Sequence, residues 1–229
     1  MRAGTTNDSD RRVKQAVHLP PPWPVPDAYN RLYREVNPLD RFVEHDGPWQ
    51  EIRIPVGSTA EQVYQRLPSA FDYEYGGYLT GTRIRYRRCD KRRAGIPTWK
   101  ACTFHSHATG LGQGEPDLPS PTDIRLFLLG RHRRTITVGR FLLWVWDKTE
   151  QTLPMVRRLA AWEKNHLSRV AGRFIDKGEA DWENAYAVEV LRRLGVRIPE
   201  DKRRWAKVWP QTLRDKLGFV VTVLEREGA

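Results

Sequence analysis

Apolar and polar positions along the chain follow two successive rhythms. Up to about residue 150 the rhythm is mostly two. The segment "WQEIRIPV" (49–56) alternates as a half-buried strand does. "YGGYLTGTRIRYRR" (75–88) predicts one long strand or a hairpin, with glycines where backbones approach closely. After a turn at 91–97, "TWKACTFHSH" (98–107) is a further strand, and "RTITVG" and "RFLLWVWD" are two more that meet at Gly139. Two short helices interrupt them. One starts at Ser58 or Thr59 and runs to about Leu67, with Glu61 three residues past Ser58 as a capping box. The other spans 121–129. From Thr152 the rhythm becomes helical, over about 152–172, 180–194 and 200–226. The expected organisation is an N-terminal arm (1–48), an α+β core (49–150) and a helical C-terminal extension (151–229). In the arm, 1–18 is polar, "LPPPWPVP" (19–26) is of polyproline type with Trp23 as an anchor, and 27–39 suits one short helix.

Composition narrows the picture. The chain has 229 residues, 39% of them apolar, enough for one good core and a smaller attachment. Its most apolar run, "FLLWVW" (141–146), is strand-sized, so no membrane span is expected. The opening "MRAGTTNDSDRRVK" has no apolar secretory core, and Cys89 and Cys102 make neither a disulfide framework nor a cysteine-based zinc site. A cytoplasmic setting is the expectation. Cys102 suits a small buried apolar position, His132 and His166 have no ligand-spaced partner, and Trp162, Trp182, Trp205 and Trp209 suit anchors of a helical layer.

Charge adds a possibility. The net charge is +11, and "RIRYRRCDKRR" (83–93) holds seven bases and one acid. Residues 124–146 hold five arginines (125, 131, 133, 134, 140) and no acid. Such a local excess meets phosphates, meets an acidic protein face, or is simply solvated.

The chemistry concentrates in "TFHSHATGLGQGEPDLPSPTD" (103–123). On a strand, side chains two apart share a face, so His105 and His107 leave the strand end pointing the same way. Two neutral imidazoles there can bind zinc, and Asp123 can supply the third ligand. "SPTD" is also a good helix start, with Ser120 as cap and Asp123 closing the box. The two roles are compatible, because a helix start holds a ligand rigidly. A hydrolytic site also needs a base, and Glu74, at the mouth of "EYGGYLTG" (74–81), is the best candidate, with Glu115 and Asp117 next in line.

Together these residues, E-x-x-G-x-L-x-G, a strand ending H-S-H, then S-x-x-D before a helix, resemble the JAMM motif of the JAB/MPN metalloprotease family, most nearly its prokaryotic members. The resemblance covers about 49–150. It implies a curved mixed β-sheet flanked by helices, of the JAB/MPN, cytidine-deaminase-like kind. It implies Zn2+ held by His105, His107 and Asp123, Glu74 as general base and then acid, and Ser120 stabilising an oxyanion. Family members cleave peptide or isopeptide bonds, often after the tail of a ubiquitin-like protein. Two departures concern the loop 108–119: its twelve residues exceed the usual spacing, and Ala108 stands where proline is common.

The expected activity is therefore a zinc-dependent peptidase or isopeptidase with a protein or peptide substrate. Its tail would add as a strand beside the metal, with Arg87, Arg88, Arg92 and Arg93 docking an acidic surface. Two rivals remain at this level. One is a nucleic-acid-associated, RadC-like protein using the basic patches. The other is a zinc-bearing scaffold without catalysis, against which the presence of Glu74 and Ser120 counts.

Overall fold

The computed structural model describes residues 47–89, 100–108, 118–130, 132–156, 158–159, 162, 182–198 and 202–227. The arm before residue 47, the turn 90–99 with Arg92 and Arg93, loop residues 109–117 with Glu115 and Asp117, and His166 lie outside them.

Seven strands make one mixed sheet. In chain order the elements are β1 (Gln50–Arg53), α1 (Ala60–Tyr64), β2 (Tyr75–Leu79), β3 (Arg83–Arg88), β4 (Cys102–Ser106), α2 (Pro121–Leu129), β5 (Arg134–Val138), β6 (Leu142–Lys148), α3 (Trp182–Arg193), α4 (Lys202–Leu217) and β7 (Phe219–Glu225). Their order across the sheet is β1-β3-β2-β4-β5-β6-β7. Segment 75–88 is thus a hairpin, closed where Thr80 N–H donates to the Arg83 carbonyl at 2.8 Å. Of the strand pairs only β4 and β5 run parallel, and α2 is part of the crossover that parallel neighbours require.

Alternation along the strands sends apolar side chains to both faces. Leu143 and Val145 of β6 join Phe104, Ile136, Ile84 and, from α1, Val63 and Tyr64 in one core. Trp144 and Trp146 join Ile124 and Phe127 of α2, Tyr186 and Val190 of α3 and Trp209 and Leu213 of α4 in the other. The sheet is a middle layer, with α1 on one face and α2, α3 and α4 on the opposite one. Trp209 behaves as the expected helical anchor, and Trp162 packs half-buried against Tyr186. The side chains of Trp182 and Trp205 lie outside the described residues.

An Arg134–Asp147 pair ties β5 to β6 by bonds of 2.7 and 3.0 Å, and Arg134 also donates to the Tyr64 hydroxyl of α1 at 2.8 Å. Two close approaches demand glycine. A Cβ on Gly77 would run into the Phe104 ring and the Arg85 carbonyl, so β2 can lie over β4 only with glycine there.

The second glycine corrects an expectation. The C-terminal helix does not run to 226: it stops at Leu217, and 219–225 is β7, paired along the whole of β6. Gly218 makes the change of direction with φ of 68°, the left-handed conformation that ends helices. Its carbonyl accepts from the Thr149 and Thr152 hydroxyls at 2.7 and 3.1 Å. Of the two expected caps of α1 the structure has Thr59, and Gln62 rather than Glu61 closes the box, while the Ser58 hydroxyl donates to the Pro55 carbonyl at 2.9 Å. No described helix is long and apolar enough to cross a membrane.

Gly218→Ala should lower the unfolding free energy by at least about 1–3 kcal/mol, because Cβ is strained at positive φ. It would also lie 2.7–2.8 Å from Gln151 and the Thr152 nitrogen. Urea denaturation checks this, and an unchanged midpoint would refute it.

Candidate metal centre

The carboxyl end of β4 faces the amino end of α2, because the crossover must leave one and enter the other. Ligands in sheets with such crossovers sit outside the carboxyl ends of the strands. His105 is the fourth residue of β4 and is 3% exposed. His107 follows the strand and keeps its register, its N–H donating to the Val138 carbonyl of β5 at 2.9 Å. Being two apart, both imidazoles project to the α2 side.

At the other wall the predicted cap is present. Ser120 Oγ accepts from the Asp123 N–H at 3.2 Å, and Asp123 Oδ2 accepts from the Ser120 N–H at 2.7 Å. The Ser120 hydroxyl proton goes to the same Oδ2, at 2.8 Å. With Pro121 opening the helix, the carboxylate is locked in place by groups that must be bonded anyway.

Three side chains converge as a result, the carboxylate meeting each imidazole through a different oxygen. His105 Nε2 lies 3.2 Å from His107 Nε2 and 3.2 Å from Asp123 Oδ1, and His107 Nε2 lies 3.4 Å from Asp123 Oδ2. A tetrahedral ion with bonds of about 2.0–2.1 Å spaces its ligands about 3.3–3.4 Å apart, so separations of this size suit a metal ion. Among the described residues this is the group of His, Cys, Asp or Glu able to hold a metal ion. The charge suits a cation as well. Burial pushes the Asp123 carboxyl up, but the His105 and His107 imidazoles, by charge and hydrogen bonding, outweigh it and hold the carboxyl well below its usual range.

Glu74 precedes β2. The pairing of β2 with β4 ends at Gly76↔His105, so Glu74 lies two residues beyond the last pair, where its carbonyl accepts from the Cys89 N–H at 2.8 Å. It is two residues from Gly76, the row partner of His105, so the alternation of β2 extended one step back assigns it to the imidazole side. The Tyr75 N–H anchors the junction by donating to the Ser106 hydroxyl at 2.8 Å. Glu74 is half-buried.

The basic residues separate. Arg87 pairs with Gly76 and so stands in the row of His105, with its guanidinium 5.0 Å from the Trp49 ring centre. Arg88 points to the other face, stacked on Tyr73 at 3.9 Å. Two of the arginines between 124 and 146 are structural: Arg134 holds Asp147, and Arg125 is buried over the Tyr186 ring at 4.6 Å. The expected strand addition beside His105 is closed, since β2 and β5 occupy both flanks of β4. Cys102 is buried, its thiol pushed up to about 12 mainly by desolvation, as its packing role implies. His132 stacks on Phe127 at 5.2 Å.

The pattern reading passed over Lys148. It is buried, its Nζ donates to the Gly130 carbonyl at 2.6 Å, and burial holds its ammonium well below the usual lysine range. Its place at the end of the "FLLWVWDK" run was the available signal, a lysine in phase with Trp144 and Trp146.

The chain matches no protein-family model, no curated protein and no solved structure.

If these three side chains are ligands, purified protein should carry about one zinc per chain, and His107→Ala should weaken binding by orders of magnitude. Elemental analysis and chelator competition measure both. Full zinc occupancy in the His105→Ala/His107→Ala double variant would overturn the site.

Proposed function

We propose that the chain is a zinc-dependent peptidase or isopeptidase with a JAMM-type centre on a JAB/MPN-like sheet, acting in the cytoplasm on the tail of a ubiquitin-like or other protein. One observation carries the proposal: His105, His107 and Asp123 converge at edges of 3.2–3.4 Å at the end of β4, beside the start of β2 that Glu74 precedes. Zinc held there supplies a Lewis acid that polarises a carbonyl and acidifies water.

The residues divide the remaining work. Asp123 contributes the anionic ligand, already ionised because both imidazoles favour its charged form. Glu74 takes a proton from the attacking water and returns it to the leaving amine, a carboxylate being able to do both in turn. The Ser120 hydroxyl exchanges its bond to Asp123 for one to the oxygen of the reacting carbonyl.

An extended tail reaches the centre over the face of the sheet rather than along an edge. In the row from β3 to β4 it would cross Gly76, which puts no side chain between Arg87 and His105. Of the two described members of the basic quartet, Arg87 is therefore the one placed to meet an acidic group of the substrate. The metal geometry favours this reading over a nucleic-acid one, and two of the arginines that would serve phosphates are committed to the fold.

Glu74→Gln should retain zinc and lose about 10²–10⁴-fold in cleavage of a ubiquitin-like fusion or generic peptide, the usual worth of a positioned acid/base. Cleavage at the wild-type rate would assign the proton transfer to another group. No cleavage of any such substrate, together with tight, salt-sensitive DNA binding, would reverse the proposal. Arg87→Ser should raise KM about five-fold with kcat nearly intact, matching an exposed ion pair of about 1 kcal/mol. Arg88→Ser, on the opposite face, should change neither constant, and steady-state kinetics of the two variants separate the faces.

A further inference from the structure

One row of the sheet gathers unsatisfied polar atoms beside the candidate centre. His105, Thr137 and Trp144 are direct neighbours across β4, β5 and β6. Their exposures are 3%, 0% and 1%. His105 Nδ1, Thr137 Oγ1 and Trp144 Nε1 are each buried without a hydrogen-bond partner among the described residues. Buried polar atoms are nearly always bonded, so three in one row call for a physical account.

Their bonding capacities are complementary. With Nε2 of His105 turned toward Asp123 and the ion, the neutral ring carries its proton on Nδ1, which is then a donor. The Trp144 indole N–H is only a donor. Between them stands the Thr137 hydroxyl, with two lone pairs and one proton. The necessary reach is already shown one row away on the same face. There Thr103 Oγ1 donates to Thr135 Oγ1 at 3.1 Å, across the same two strands.

We propose that Thr137 is a positioning residue for the metal centre. Its hydroxyl, through one buried water, meets the Nδ1–H of His105 and the indole N–H of Trp144. The bridge holds the imidazole in the tautomer and orientation that present Nε2 to the ion. The inference rests on the metal-centre reading for its functional meaning, but the contact between the Thr137 hydroxyl and Nδ1, bridged by a buried water, does not require the ion. Partners of this kind on the far nitrogen of a ligating histidine raise its basicity and fix its ring.

Thr137→Val removes the hydroxyl and keeps the shape, Thr137→Ser restores the hydroxyl, and Thr103→Val removes one from the neighbouring row. In chelator competition Thr137→Val should bind zinc about 10–100-fold more weakly, the usual effect of losing such a partner. Thr137→Ser and Thr103→Val should stay within about three-fold of the wild type. Side-chain ¹⁵N spectra of the metal-free proteins give a second readout. Thr137→Val should shift the His105 Nδ1 resonance from its wild-type position, and Thr137→Ser should not. Wild-type affinity in Thr137→Val, with an unchanged His105 spectrum, would overturn the proposal. If the wild type binds no zinc, the metal-centre reading fails separately. The metal-free spectra then decide the hydrogen bond alone, and identical His105 signals in wild type and Thr137→Val reject it.

Discussion

The reciprocal hydrogen bonds between Ser120 and Asp123 carry more of this structure than any other contact of their size. A helix begins with N–H groups that nothing inside it can satisfy. Ser120 and Asp123 meet that demand at α2, and in doing so they fix where a carboxylate stands relative to the end of β4. A cap of this type contributes about 1 kcal/mol to a helix. Its larger consequence is positional, because an untethered aspartate beside two imidazoles would not hold an edge of 3.2 Å to each of several neighbours. The far end of α2 is held as well, by the Lys148 ammonium on the Gly130 carbonyl. The helix is thus tied to β6 at its far end, and its capped start, one wall of the site, carries the carboxylate that meets the imidazoles at the end of β4.

The other wall comes from the pleat. Side chains of successive residues alternate between faces, so the choice of face for Phe104 dictates that of His105 and His107. Phe104 is buried in the core beneath α1, pressed against a strand that must be glycine at position 77. The histidines are thereby turned to the side that α2 covers. The same alternation puts Arg87 on the site's face and Arg88 on the other, although the two are adjacent in a run that reads as uniformly basic. A charge run on a strand is two half-runs, and only one of them can serve a given site.

Burial around the centre is uneven in a way that suits chemistry. His105 is enclosed, whereas the side chains of His107 and Asp123 keep 24% and 17% exposure. An ion there would be held from the protein side and reached from solvent on the other, as an open catalytic position requires. The buried Thr103–Thr135 pair and the row of His105, Thr137 and Trp144 show that the interior behind the site is polar by pattern. Apolar packing resumes only with the tryptophans of β6 and the helices beyond.

Local signals in the chain were sufficient for most of this. Period-two patterning located the strands, "SPTD" specified the start of α2 to the residue, and His-x-His on a strand required both imidazoles to share a face. Each depends only on neighbours in sequence, which is why each could be read without coordinates. The signals failed where a decision was made at long range. "GFVVTVLE" (218–225) was taken as the end of a helix, though a glycine followed by β-branched residues marks a helix stop and a strand. What makes it a strand is the open edge of β6, far away in sequence. Strand order likewise came only with the tertiary structure. It closed both flanks of β4, brought the start of β2 beside the end of β4, and lined up His105, Thr137 and Trp144 from three separate segments. Composition and spacing name the groups that can do chemistry; the pairing of strands decides which of them meet, because hydrogen-bonded register is a property of two segments at once.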